Sequence, residues 1–259
     1  MVTQAERAMS FGAIADDYDR LRPDPAPDAI RWLVPDGTAL AVDLAAGTGK
    51  LSRALTARQV LAVEPDGRMA AVLRARTPGV RVVSGVGEAL PLRDGSADGL
   101  FISSAWHWMT PGLAVPEIAR VLRDGGRFGV IWTSRDREVD WVRELDRLRE
   151  PSMQSSAGQP TGPTPDGDTQ PPSRHVRLPE GSPFTAEQGA TFTFTRTMAV
   201  ADIVDMLATN SRIITAQPAD RDRALGRLRD ALGRWFPGTD RIDVPMRSIC
   251  WRADRLPRR

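Results

Sequence analysis

The chain has 259 residues, enough for one buried α/β core. With 41% hydrophobic residues, 26% charged residues and a net charge of +2, it reads as an ordinary soluble globular protein. It has no apolar run of membrane-spanning length, no signal-peptide pattern at Met1–Ser10 and a single cysteine. These features point to a cytoplasmic protein that makes no membrane contact and has no internal disulfide. Two histidines, His107 and His175, and Cys250 are too few for a usual zinc centre, so no metal is expected. Arginines alternate with acids, as in Arg221-Asp222-Arg223, and form no basic stripe with interleaved aromatics. Nucleic acid is therefore not an expected partner. Oligomeric state leaves no signature.

In chain order, short apolar runs at Ala39–Leu44, Val60–Val63, Val80–Val83, Leu100–Ser103 and Arg127–Trp132 are continuous rather than alternating. That pattern predicts strands buried on both faces of a parallel sheet. Helices are expected between them: Leu51–Ala57, Gly67–Ala75 and Leu113–Leu122, the last with Val115, Ile118 and Leu122 on one face. Asp124-Gly125-Gly126 reads as a turn between helix and strand. A helix over Glu138–Arg149 presents Trp141, Leu145 and Leu148.

A Pro/Gly/Ser-rich stretch, 151–175, follows. It has too little apolar surface to offset its chain entropy and reads as a flexible surface insertion, with a lid over the substrate as the other reading. Strand alternation returns at Thr191–Thr197. Helices follow over Ala201–Ala208 and Ala219–Leu232, the latter with Ala224, Leu225, Leu228, Ala231 and Leu232 on one face. A strand over Val244–Trp251 comes last. The expected fold is a single Rossmann-like α/β domain spanning 1–259, with cap helices in 1–36. It has a doubly wound, seven-stranded, mostly parallel sheet, an antiparallel C-terminal strand and helices on both faces.

The segment with most chemistry is Val42-Asp43-Leu44-Ala45-Ala46-Gly47-Thr48-Gly49-Lys50-Leu51, where a buried strand turns into a helix. Glycines there let the backbone take unusual torsions and approach a ligand closely. Asp43 precedes the bend and Glu64 ends the next strand, where an acid can hold both ribose hydroxyls of a nucleoside. The plainer reading is that Asp43 only braces the turn and Glu64 only caps the helix at Asp66. The two acids with the glycines and the strand order favour a nucleoside site.

Three segments together carry a resemblance: Asp-Leu-Ala-Ala-Gly-Thr-Gly, Val63-Glu64-Pro65 and Gly87-Glu88-Ala89-Leu90-Pro91. They resemble the class I S-adenosylmethionine methyltransferases, and within them the small-molecule type 11 group that includes trans-aconitate methyltransferase. Ser10-Phe11-Gly12 through Tyr18-Asp19-Arg20-Leu21-Arg22-Pro23, and Ala105-Trp106-His107-Trp108, agree. The match covers nearly the whole chain except about 151–180. It is specific for the cofactor and uninformative about the acceptor.

The resemblance implies S-adenosyl-L-methionine as cofactor and a direct methyl transfer to O, C or N of a small molecule. It places Gly47 and Gly49 along the methionine part, with Asp43, Ala45 and Ala46 beside it. Glu64 would take the ribose hydroxyls. Pro65 and Met69 would pack near the adenine, and Gly87, Glu88 and Ala89 would flank its edge. Phe11, Tyr18 and Arg22 would belong to an N-terminal segment closing over the cofactor, Arg22 meeting its carboxylate. Ser104 would lie near the transferred methyl. Ala45 stands where many relatives carry glycine, a small departure.

After the fourth strand, His107 could act as a base for an acceptor that must lose a proton, or could hydrogen-bond the loop and only shape the pocket. Trp106 and Trp108 could face the sulfonium or an aromatic substrate, or serve packing. Trp132 ends the fifth strand on the same edge. Arg212 could meet an anionic substrate, or belong to the surface.

Two other classes compete. An NAD-dependent oxidoreductase needs three glycines for a pyrophosphate, but Ala45 takes the first place and Ser52 the third. Tyr18 and Lys50, the sole tyrosine and lysine, leave no proton-relay pair. A catalytically inactive S-adenosylmethionine-binding partner subunit would have an eroded acceptor loop, whereas residues 104–108 look intact. Methylation of a nucleic-acid exocyclic amine is disfavoured because Ser103-Ser104-Ala105-Trp106 replaces the Asp/Asn-Pro-Pro-aromatic turn such enzymes carry.

Overall fold

A computed structural model describes residues 15–148, 175–209, 213 and 216–258. The stretch 151–174 lies outside the described residues. His175 is exposed at the edge of that stretch.

Two short helices come first, α1 (Ala15–Leu21) and α2 (Pro27–Leu33). The Rossmann-like half follows: β1 (Leu40–Leu44), α3 (Lys50–Ala54), β2 (Gln59–Val63), α4 (Gly67–Arg76), β3 (Arg81–Val83) and β4 (Ala97–Ser103). After a 3₁₀ turn at Trp106–Trp108 come α5 (Pro111–Val121), β5 (Leu122–Arg135), α6 (Asp140–Leu148), β6 (Gln188–Ala199), α7 (Val200–Ala208), α8 (Pro218–Trp235) and β7 (Arg241–Asp254). Pro27, Pro111 and Pro218 open their helices, where the missing N–H has no intrahelical acceptor to lose.

The seven strands form one sheet in the order β3-β2-β1-β4-β5-β7-β6. β1 to β5 run parallel, β7 is antiparallel to β5, and β6 is antiparallel to β7. This is the doubly wound mixed sheet expected, with β7 as the reversed strand. Chain direction reverses its walk across the sheet between β1 and β4. In such sheets a ligand crevice opens there, outside the carboxyl ends of the strands.

Burial explains the continuous apolar runs. Val42, Leu44, Val63, Leu100, Ile102, Phe128 and Val130 join α5 in one core, whereas Ala41, Phe101 and Ile131 pack on the opposite face with α2 and α3. A third core lies among α6, α7, α8 and the inner part of β7. The Asp98 carboxylate accepts the N–H groups of Ala39 (3.0 Å) and Leu40 (2.7 Å), fixing the start of β1 against β4.

Two local expectations change. Asp124-Gly125-Gly126 does not separate helix from strand: β5 already begins at Leu122, and its register against β4 jumps from Ala97↔Leu122 to Gly99↔Arg127. Gly125, at φ +74°, lets the surplus residues loop out. The loop is tied down by the Gly125 N–H to the Arg255 carbonyl and the Arg255 N–H to the Gly126 carbonyl. In α6 the fully buried side chains are Val142 and Leu145, with Trp141 and Leu148 partly buried beside them. The buried face of α8 is Ala224, Leu225, Leu228, Ala231 and Leu232, as its period predicts.

Candidate active site

The bend after β1 is built from left-handed residues. Ala45, Gly47 and Gly49 have φ of +55°, +56° and +85°. The Ala46 N–H donates to the Val63 carbonyl and the Gly49 N–H to the Ala46 carbonyl, so the loop is locked to β2 and to itself. Gly49 closes against α4: a Cβ there would lie 2.7 Å from Cγ of Leu73. A Cβ on Gly47 would meet nothing within 4 Å. One glycine thus serves helix packing, and the other borders open space.

Glu64 reaches into that bend. Its Oε2 accepts the Gly47 N–H at 2.7 Å and its Oε1 accepts the Asp66 N–H at 2.8 Å. The helix cap is Asp66 itself, which accepts the Arg68 N–H at 2.9 Å. Burial raises the Glu64 pKa, opposed by its two backbone hydrogen bonds. Each carboxylate oxygen keeps a second lone pair for a hydroxyl donor.

Asp43 is fully buried behind the bend. Its Oδ2 accepts the Ser52 hydroxyl at 2.5 Å, while Oδ1 has no hydrogen-bond partner among the described residues. Burial pushes its carboxyl up to about 7, with the Ser52 hydrogen bonds opposing and the Glu64 charge adding. Ser52 was the residue that broke the three-glycine pattern. Its position supplies a brace for Asp43, a pairing that nothing in the local sequence signalled.

The N-terminal helices are clamped over the bend by ion pairs. Asp19 of α1 meets Arg53 of α3 at 2.7 Å and Arg76 of α4 at 3.2 Å, and Lys50 meets Asp24 at 3.0 Å. Burial alone would raise the Asp19 pKa, but hydrogen bonds from Arg53 and Thr48 hold it below the usual range. Tyr18 and Arg22 lie on this cap, the guanidinium 5.1 Å from the ring centroid. Phe11 lies outside the described residues.

On the neighbouring side, Gly87 is tight: a Cβ would come within 2.8 Å of the Met109 sulfur. The Glu88 carboxylate accepts the Thr110 N–H at 2.7 Å, tying the 86–89 turn to the start of α5. Ala89 and Pro65 are exposed and Met69 is buried in α4.

Ser104, at the end of β4, is the second non-glycine residue with positive φ, +55°, its N–H held by the Ile131 carbonyl at 2.8 Å. Left-handed torsions cost such residues roughly 1 kcal/mol or more. Both strained residues sit at the carboxyl ends of adjacent strands, β1 and β4. The loop that follows divides its aromatics. Trp106 is 5% exposed and packs against Phe128, centroids 5.6 Å apart, and Trp132 is buried in the same core. Of the two readings open for Trp106, the structure shows packing, and Trp132 lies in the same core. Apolar aromatic bulk alone does not say which side of a loop a ring takes. Trp108 and His107 remain half-buried at the edge, ring centroids 4.5 Å apart, and burial lowers the His107 pKa. Arg212 lies outside the described residues.

Comparison with known proteins identifies the family and the fold. A family model described as a methyltransferase domain matches residues 42–130, from β1 into β5. Over 255 residues the chain is 37% identical to the uncharacterized methyltransferase Rv3342 of Mycobacterium tuberculosis, covering 97% of this chain and 98% of that protein. The chain belongs to the class I S-adenosylmethionine-dependent methyltransferases. This methyltransferase is also 26% identical over 251 residues to the uncharacterized methyltransferase C25B8.09 of Schizosaccharomyces pombe, covering 93% of this chain and 95% of that one. Its fold matches a solved structure from Anaeromyxobacter dehalogenans, provisionally designated a type II methyltransferase. The TM-score is 0.62 and the identity 24%, over 92% of this chain and 99% of that one. No described helix of the methyltransferase is long and apolar enough to cross a membrane.

Proposed function

We propose that this methyltransferase transfers a methyl group from S-adenosylmethionine to O, C or N of a small-molecule metabolite by direct displacement. The observation that carries the proposal is the Glu64 carboxylate 2.7 Å from the Gly47 N–H, beside open space at the Gly47 α-carbon. That pairing puts an acceptor for ribose hydroxyls and an unobstructed backbone in one crevice. The unpartnered Oδ1 of Asp43 lies behind the same bend.

When bound, S-adenosylmethionine supplies an electrophilic methyl on a sulfonium, which leaves as a neutral thioether. The protein's task is then alignment and exclusion of water. Glu64 takes the ribose hydroxyls, and Gly47 lines the methionine part. The α1 cap, fixed by Asp19 to Arg53 and Arg76, closes one wall. Trp106, buried against Phe128, anchors the loop that carries His107 and Trp108. Because burial favours neutral His107, its imidazole is ready to take a proton from an acceptor hydroxyl or carbon acid at neutral pH. A carboxylate acceptor would not use it.

Incubating the protein and methyl-labelled S-adenosylmethionine with a metabolite extract, followed by mass spectrometry, tests the proposal. The expected result is a labelled small molecule. Tight S-adenosylhomocysteine binding without labelled product would instead favour an inactive binding subunit.

A further inference from the structure

The two edges of the sheet differ. β3, at one end, is three residues long and opens on Arg81, so it offers almost no ladder to another strand. β6, at the other, runs for 12 residues, about twice the usual strand length, with no proline and no lysine. Its one charge, Arg196, turns back to donate to the Leu21 carbonyl at 3.0 Å. Shortness, proline and lysine, common protections of an edge, are all missing from β6.

The Val200 N–H donates to the Asp240 carbonyl at 3.1 Å, in register with the β6–β7 ladder. Ladder bonds alternate along an antiparallel pair, so Phe192, Phe194 and Arg196 bond to β7. Thr191, Thr193 and Thr195 point their N–H and C=O groups the other way. All three are exposed, and among the described residues nothing pairs with those groups. Pro245 of β7 sits opposite Thr195, where the β6 ladder uses no N–H from β7.

We infer that β6 pairs with β6 of a second copy of this chain, antiparallel about a two-fold axis, and extends the sheet across a homodimer. An open edge accepts any strand; the sequence of β6 selects its own. A two-fold axis normal to the sheet sets residues of the same face opposite each other. With Thr193 on the axis, Thr191 faces the partner subunit's Thr195, and Phe192 faces the partner subunit's Phe194. Threonine pairs and aromatic pairs both favour cross-strand contact. The phenylalanines fall at the non-hydrogen-bonded positions of the new ladder, where side chains come closest. Arg196 faces the partner subunit's Ala190, so no like charges meet. Trp32 lies against Phe192, ring centroids 6.3 Å apart and both half-buried, and widens the apolar strip beside the edge. Residues 189–197 give about 30 Å of paired strand. That is an interface at the lower end of the range for specific complexes, so the dimer should form and dissociate with concentration.

Sedimentation equilibrium over a range of concentrations gives the assembly state, and amide hydrogen exchange locates the contact. A dimer is expected, with exchange at the Thr191, Thr193 and Thr195 amides slowing as concentration rises. The Phe192 and Phe194 amides, bonded to β7, should exchange slowly throughout. Thr193→Glu opposes two carboxylates on the axis and should raise the dissociation constant at least about tenfold. Thr193 is exposed, so the core is left alone, and circular dichroism checks the fold. The exchange measurement needs no variant, so a misfolded one does not shield the inference. A monomer at every concentration overturns it. So does a dimer in which those three amides stay fast, or whose affinity ignores Thr193→Glu. Slow exchange at the three amides in a monomer would mean that another part of the same chain covers the edge, and would overturn it too.

Discussion

The Glu64 carboxylate bridges two backbone N–H groups, that of Gly47 at 2.7 Å and that of Asp66 at 2.8 Å, joining the ends of β1 and β2. A neutral amide cannot copy this, because its NH₂ would face one of the two donors. Leaving a buried donor unsatisfied costs about 1–3 kcal/mol. Glu64→Gln should therefore weaken S-adenosylhomocysteine binding by tenfold or more in calorimetry. Unchanged affinity would remove Glu64 from the cofactor site.

Gly47 and Gly49 separate binding from folding. Gly49→Ala forces a Cβ to 2.7 Å from Leu73 at φ +85°, and should lower stability by about 1–3 kcal/mol. Gly47→Ala meets nothing within 4 Å, so it should cost only about 1 kcal/mol of backbone strain. The open space it enters is the proposed cofactor crevice, and there its effect on affinity should exceed tenfold. Thermal unfolding and ligand titration of the two variants should thus rank them in opposite orders.

Asp43 makes the apo protein sensitive to pH. Its carboxyl is raised from an ordinary 3.8 to about 7, chiefly by burial. Such a group binds its proton more tightly when folded, so its contribution to stability is full below about pH 4. It is lost as pH rises to about 7, by up to about 4 kcal/mol. Asp43→Asn keeps an acceptor for Ser52 and removes the titration. Denaturant unfolding from pH 4 to pH 8 should show a steeper decline in wild type than in the variant; parallel curves would mean that Asp43 ionises freely in the folded protein.

His107 is tested by the pH dependence of turnover once an acceptor is known. Burial lowers its pKa below 6.5, so the neutral form prevails at pH 7. For an acceptor that must lose a proton, kcat/KM should rise along a limb with its midpoint below 6.5. His107→Gln should erase that limb and slow turnover by about 10²–10⁴. A limb that persists in the variant would leave His107 as a wall of the pocket.

Much of this was legible along the chain. Strands buried on both faces advertise themselves as continuous apolar runs, and the bend of Gly47 and Gly49 between strand and helix is a local event. Groups that meet across the fold left no such trace. Ser52 on Asp43, Thr110 on Glu88, and Arg53 and Arg76 on Asp19 join residues whose proximity depends on strand order and helix placement. The two tryptophans Trp106 and Trp132 show the same limit: a large apolar ring suits either a pocket or a core.

By itself, the order of amino acids determined the layering of the molecule, the bend after β1 and the acid that ends β2, because each is encoded by neighbours within a few residues. The tertiary structure alone decided that Glu64 closes on Gly47, that Ser52 braces Asp43 behind it, and that Asp19 meets Arg53 and Arg76. Those contacts join residues 9 to 57 positions apart, and only the packing of helices and strands brings them within a few ångströms.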